Sequence, residues 1–350
     1  MNQRLILHVG HPKTGSTSIQ KALAANRRQL EKEGIFYPET ALLSHNHRVL
    51  GFAIDEDKTS SLRLRLSAQY ADPVSFSLKE WDRVSSAFQV SPADTLLLSS
   101  ESIFNDLWNF ENAKRLQDRI SHLNCREVVG LCYMRSPGPF YLSRAQQKLR
   151  GGFGLLPLEA PERVLRIDFF KQIFGINFEM RVFERHRLKD GDVVSDFMSW
   201  IDRADLEING HTEQLNTSVS AEAMAVLAEL SATTPPANMA ELKRQRKTAR
   251  FVMKLDTELE NPTKPKLRSA IAEHIIRLDS DLVVLRDRHQ IEFSDVDYGI
   301  AGKLMPGAQP EANSVDDICH FDVDRAYELK GRVKDALSEY EKRQENMRSA

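Results

Sequence analysis

Apolar residues in this chain fall into short dense runs separated by polar stretches of helical period. Strand-like runs alternate with helical ones over Leu5–Val9, Ser18–Glu33, Leu96–Ser100, Ala113–Leu123, Val128–Met134, Phe140–Arg150, Arg166–Phe174 and Met180–Phe183. That alternation predicts an α/β protein, with a central, mostly parallel sheet and helices on both faces. Residues 51–92 interrupt it: 55–61 reads as a loop and Ser75–Arg83 as a helix, inserted between the second and third strands. Past Ser220 the pattern turns helical. Ala221–Leu230, a basic stretch Met239–Leu259, an amphipathic stretch Leu267–His289 and a charged tail Asp324–Ser349 are separated by breaks at Thr233-Thr-Pro-Pro236 and Asn261–Pro265. The expected division is an α/β domain over 1–230 and a helical extension over 231–350, with the tail peripheral.

The sharpest feature is the turn after the first run. Gly10, Pro12 and Gly15 break the chain, and Ser16 or Thr17 is placed to cap a helix carrying Ile19, Leu23 and Leu30 on one face. A strand, a glycine-containing loop and a helix N-terminus form an anion site, because loop amides and helix dipole converge on one spot. Lys13 adds a charge; Thr14, Ser16 and Thr17 add hydroxyls. The glycine spacing is that of a Walker A loop, but Ser16 stands where that motif has lysine, and Lys13 comes before Gly15. The best later strand, Leu96–Glu101, ends in glutamate and not in a metal-binding aspartate. A P-loop small-molecule kinase is therefore disfavoured, and a non-catalytic nucleotide-binding protein stays open.

Lys13-Thr-Gly-Ser-Thr17 after a first strand resembles the 5′-phosphosulfate loop of sulfotransferases that use 3′-phosphoadenosine-5′-phosphosulfate (PAPS). The resemblance extends to Glu127–Arg135, a strand ending in arginine, with Ser143 eight residues on. In that family such a pair grips the donor's 3′-phosphate, a role that suits a planar guanidinium. Gly34–Pro38, Ser44–Leu50, Leu96–Glu101, Arg181–Arg185 with Gly191–Phe197, and Leu215–Ser220 resemble further segments of a bacterial, carbohydrate-type branch. The resemblance covers about residues 3–230. It implies a P-loop-like three-layer fold and transfer of sulfonate from PAPS to a hydroxyl or amine of a carbohydrate, glycolipid or small molecule, with no metal. His11, Pro12, Lys13, Thr14, Gly15, Ser16, Thr17, Arg135 and Ser143 would bind the donor.

Sulfonyl transfer needs charge stabilised on the leaving oxygen and a proton removed from the acceptor. Lys13, mobile beside the loop, suits the first task. For the base the chain offers Glu39, His45, His47 and Glu101. Glu101 follows an apolar strand, the place for a base at the carboxyl edge of an open sheet. His47 lies in Ser44–Leu50, which resembles the family's histidine-containing segment, and has a reference pKa near working pH. The two rank level.

Composition narrows the setting. Hydrophobic residues make up 41% and charged ones 28%, enough for a sizeable core and a polar surface. With 48 basic and 50 acidic residues there is no bias toward nucleic acid or anionic membranes. The basic run Lys243, Arg244, Arg246, Lys247 and Arg250 reads as a solvated helix face, or as a positive rim for an anionic donor or acceptor. Three sparse cysteines, Cys125, Cys132 and Cys319, show no metal-ligand spacing and suit a reducing compartment. No secretory signal is evident, and no run approaches the ~18 apolar residues of a membrane span. The expected location is cytoplasmic.

Overall fold

A computed structural model describes residues 3–41, 45–56, 70, 72–206, 208, 219–230, 239–305, 307 and 309–349. Contacts group the chain into two compact units that interleave in sequence, where the sequence reading drew one boundary near residue 230. The first comprises 1–136, 161–215 and 281–296; the second comprises 137–160, 216–280 and 297–350. The segment 215–218, the break at 233–236, most of 55–61 and Ser44 lie outside the described residues.

The first unit is built on a five-stranded sheet in the order β2-β3-β1-β4-β5, with every pairing parallel. Its strands are β1 (Arg4–His8), β2 (Ile35–Phe36), β3 (Thr95–Ser99), β4 (Glu127–Met134) and β5 (Phe178–Val182). The central β1 pairs its Leu5 with Leu96 of β3 and with Val128 of β4. Helices cover both faces, so the central strands β1, β3 and β4 are mostly buried, whereas β5 at the edge carries Glu179 and Arg181 between buried Phe178 and Val182. One face sets Ile6, Leu97, Val129, Leu131 and Tyr133 against Ile19 and Leu23 of α1 (Ser16–Ala25) and against Phe197 of the helix Val193–Trp200. On the other, a Cβ at Gly130 would lie 2.7 Å from Phe178, so glycine makes room for that ring in mid-strand. Phe178 stacks on Phe170 at 5.0 Å, and Phe170 on Phe104 at 5.9 Å. This is an α/β unit with the P-loop-like three-layer arrangement.

Several boundaries differ from the sequence reading. The predicted helix 18–33 is two helices, α1 and α2 (Arg27–Lys32), parted at Asn26, whose side chain donates to the Ala22 carbonyl at 2.7 Å. Neither Ser16 nor Thr17 caps α1: Gly15 holds the N-cap position in the left-handed region, and Ser16 is the first helical residue. The insertion helix runs over Pro73–Val90, with Asp72 as its cap.

The second unit is helical. The amphipathic stretch 267–289 is two helices, Ser269–Leu278 and Asp281–His289, the latter belonging to the first unit. The tail forms Val323–Ser349 and is not peripheral at its start: Leu329 and Val333 are buried in the unit's core. Arg325 is buried there too. Its guanidinium donates to Asp256 Oδ1 (2.8 Å), Glu222 Oε2 (3.1 Å) and the carbonyls of Glu260 and Asp256. Burying a charge at such a crossing is tolerable because its donors all find acceptors.

Candidate functional site

β1 delivers the chain to its carboxyl end and the loop Val9–Gly15 carries it into α1. Lys13 (φ 69°) and Gly15 (φ 78°) both lie in the left-handed region. Glycine takes that conformation without cost, whereas a lysine does so only under local constraint. Two bonds supply the constraint: Thr14 Oγ1 donates to the His11 carbonyl at 2.6 Å, and Arg135 Nη1 donates to the Lys13 carbonyl at 3.0 Å. At Gly15 a side chain would also strike Val193 Cγ1 at 2.7 Å.

Gly10 is the point of closest approach. A Cβ there would collide with the Ser16 hydroxyl and sit 3.2 Å from Glu101 Cβ. The loop's entry, the first turn of α1 and the end of β3 are thus brought together. The first amides of α1 have no carbonyl within the helix to bond, as at any helix start. The Ser16 hydroxyl is buried with no partner among the described residues. A buried hydroxyl costs free energy unless something bonds to it, so a ligand oxygen is the natural complement. Thr17 is exposed; Pro12 and Lys13 are half-buried. His11 turns inward, its ring edge-on to Phe104 at 5.4 Å.

Arg135, at the end of β4, lies over the Phe183 ring at 5.8 Å. Burial pulls its guanidinium below the usual range and the Asp295 carboxylate partly restores it. The adjacent Ser136 hydroxyl donates to Asp295 Oδ2 at 2.9 Å. Nothing in the sequence pointed to Asp295, 159 positions further along the chain. Ser143 is half-buried on the helix Pro137–Arg150 of the second unit.

The structure gives the two candidate bases different surroundings. Glu101 opens the helix Glu101–Asp106, half-buried beside Gly10, and no hydrogen bond or ion pair engages its carboxylate among the described residues. His47 is fully buried and both ring nitrogens are committed. Its Nε2–H donates to the Pro38 carbonyl at 2.9 Å, and its Nδ1 accepts the Ser99 amide at 2.8 Å. Burial drives its pKa down to about 4. Such a ring is a neutral brace between two strand ends, with no nitrogen left for an acceptor. His45 is half-buried, its pKa lowered by burial and by nearby Lys21, Arg27 and Arg48. Glu39 is exposed, and its carbonyl accepts from Arg83.

Ser99 is held from the other side as well. Its hydroxyl meets His8 Nδ1 at 2.8 Å and accepts from Gln20 Nε2 at 3.1 Å. Together His8, Gln20, His47 and Ser99 form a buried polar layer under the loop that sequence reading did not foresee, because its members come from four separate segments. Among the described residues no three His, Cys, Asp or Glu side chains gather as a metal would require, and no helix is long and apolar enough to cross a membrane.

The architecture defines an α/β protein whose glycine-containing loop leads from the carboxyl end of its central strand into a helix start. No protein-family model matches the chain, and no curated protein matches it. Among solved structures, the crystal structure of a sulfotransferase from Alicyclobacillus acidocaldarius superposes over 69% of this chain and 95% of its own, at 11% identity and a TM-score of 0.37. A likeness at that level assigns no activity.

Proposed function

We propose that this chain is a sulfotransferase that moves a sulfonate group from PAPS to a hydroxyl or amine, with a carbohydrate or glycolipid as the acceptor class. The observation that carries the reading is the loop 10–17. It joins two left-handed residues, a helix start and a buried hydroxyl with no partner among the described residues to an arginine at the end of the adjacent strand. With the sequence resemblance, this arrangement suits a 5′-phosphosulfate better than a metal-bound triphosphate, because lysine stands before the second glycine and not after it.

In this reading the amides and hydroxyls of residues 14–17 hold the 5′ end of the donor, with His11 and Pro12 shaping the loop. Arg135 takes the 3′-phosphate; Ser143 is carried over on its spacing from Arg135 alone. The acceptor oxygen or nitrogen forms a bond to sulfur as the bond from sulfur to the bridging oxygen breaks. That electron pair leaves on the 5′-phosphate of adenosine 3′,5′-bisphosphate. Lys13 stabilises the charge growing there, and its ammonium replaces what a metal would otherwise supply. Glu101 accepts the acceptor's proton, the only one of the two ranked bases with an uncommitted basic atom in the described structure. His47 then serves to position the strand end that Glu101 follows.

Calorimetry with four nucleotides tests the reading. Adenosine 3′,5′-bisphosphate is expected to bind at least tenfold more tightly than AMP, ATP or GTP, as a charge-assisted phosphate contact implies. Equal affinity for AMP and the bisphosphate would sink it, and preference for ATP with Mg²⁺ would favour a kinase.

A further inference from the structure

The surroundings of Arg135 include a carboxylate that a phosphate-binding residue would not be expected to keep. The segment 291–296 is pinned by alternate residues: Ile291 and Phe293 are buried, and Ser294 donates its amide to Glu184 Oε1 at 2.8 Å. The Ile291 amide is also bonded, to the Leu285 carbonyl at 2.8 Å. Asp295 follows this anchor, exposed, yet it accepts the hydroxyl of buried Ser136 at 2.9 Å, and its charge acts on Arg135. The acid is therefore held on a fixed segment at the very turn where Arg135 would meet a phosphate.

Resting on the donor reading above, we propose that Asp295 is a specificity-determining residue that competes with the donor's 3′-phosphate for Arg135 and the Ser136 hydroxyl. Two anions at one guanidinium repel, so the 3′-phosphate binds only as tightly as it outbids the carboxylate. The donor and the bisphosphate left after transfer both carry this phosphate. A carboxylate poised to reclaim the site weakens both and keeps the spent nucleotide from lodging. AMP and other nucleotides without a 3′-phosphate do not contest the site and are indifferent to Asp295.

The test is calorimetry of the full chain with adenosine 3′,5′-bisphosphate and with AMP. Asp295→Asn keeps an oxygen for Ser136 and removes only the charge; Asp295→Ala removes both. Both variants are expected to bind the bisphosphate about five- to tenfold more tightly, the gain shrinking as salt is raised, with AMP affinity unchanged. Unchanged bisphosphate affinity in both variants overturns the inference, and so does an equal gain for AMP, which would make Asp295 a general repulsive charge. Arg135→Ala separates the two levels. If it weakens the bisphosphate while the Asp295 variants change nothing, the donor reading stands and this inference falls. If it too leaves bisphosphate affinity unchanged, both fall.

Discussion

Arg135 reaches across 122 positions to donate from Nη1 to the carbonyl oxygen of Lys13 at 3.0 Å. The guanidinium thus holds in place the backbone of a lysine in the left-handed region. One side chain ties the end of β4 to the loop that follows β1, with its guanidinium lying over the Phe183 ring.

Replacing Arg135 with lysine is therefore not conservative. A lysine ammonium retains the charge but lacks the fork that serves the carbonyl and a phosphate together. Arg135→Lys is expected to lose roughly 1.5–3 kcal/mol of bisphosphate affinity, the range for a charge-assisted hydrogen bond, as read by calorimetry. Wild-type affinity in this variant would show that the fork is not used.

Ser16 separates stability from binding. In the free protein its buried hydroxyl has no partner among the described residues, so Ser16→Ala removes a desolvated group and is expected to leave stability unchanged or raise it by about 1 kcal/mol. Affinity for the bisphosphate should fall by a similar amount. Urea melts and calorimetry on one preparation check both, and unaltered nucleotide affinity would detach this hydroxyl from the site.

Glu101 and His47 should part in the same way. Glu101→Gln is expected to cost ~10²–10⁴ in turnover with nucleotide affinity intact, as for loss of a general base. His47→Ala removes a ring bonded at both nitrogens within the interior, and its expected effect is about 2–4 kcal/mol of stability. Turnover per folded molecule should fall far less for His47→Gln than for Glu101→Gln. The reverse order would return the base role to the histidine.

The buried histidines also set an acid limit. Burial lowers His47 to about 4 and His8 to about 3, from 6.5 in the unfolded chain. Between pH 6.5 and 4 the unfolded state takes up a proton at each that the folded state refuses, so their stabilisation is complete above pH 6.5 and is lost as pH falls. Each contributes a slope of up to about 1.4 kcal/mol per pH unit in that window. Denaturant melts from pH 7 to 4.5 should show His47→Gln with a visibly shallower slope than wild type. Equal slopes would mean that His47 titrates alike in both states.

The sheet was legible because its central strands are covered on both faces, so Leu5–Leu7, Leu96–Leu98 and Val128–Met134 stand out as dense apolar runs. The loop was legible because glycine and lysine spacing is local. Helix breaks at Asn26 and at 279–280 were not, since periodicity carries across one or two residues that geometry interrupts. The different surroundings of Glu101 and His47 were hidden for a stronger reason. What commits His47 is the Ser99 amide, 52 positions away, and nothing near the histidine in sequence announces it. Asp295 was invisible likewise, as an ordinary acid in an ordinary polar stretch.

Lys13 holds its place against the preference of its own backbone. A non-glycine residue at φ 69° is strained by ~1–2 kcal/mol, and glycine there would shed that strain while giving back ~0.5–1 kcal/mol through unfolded-chain entropy. Selection for heat resistance alone would therefore drift toward Lys13→Gly, and the most durable descendants of this chain would be the ones that had discarded its charge.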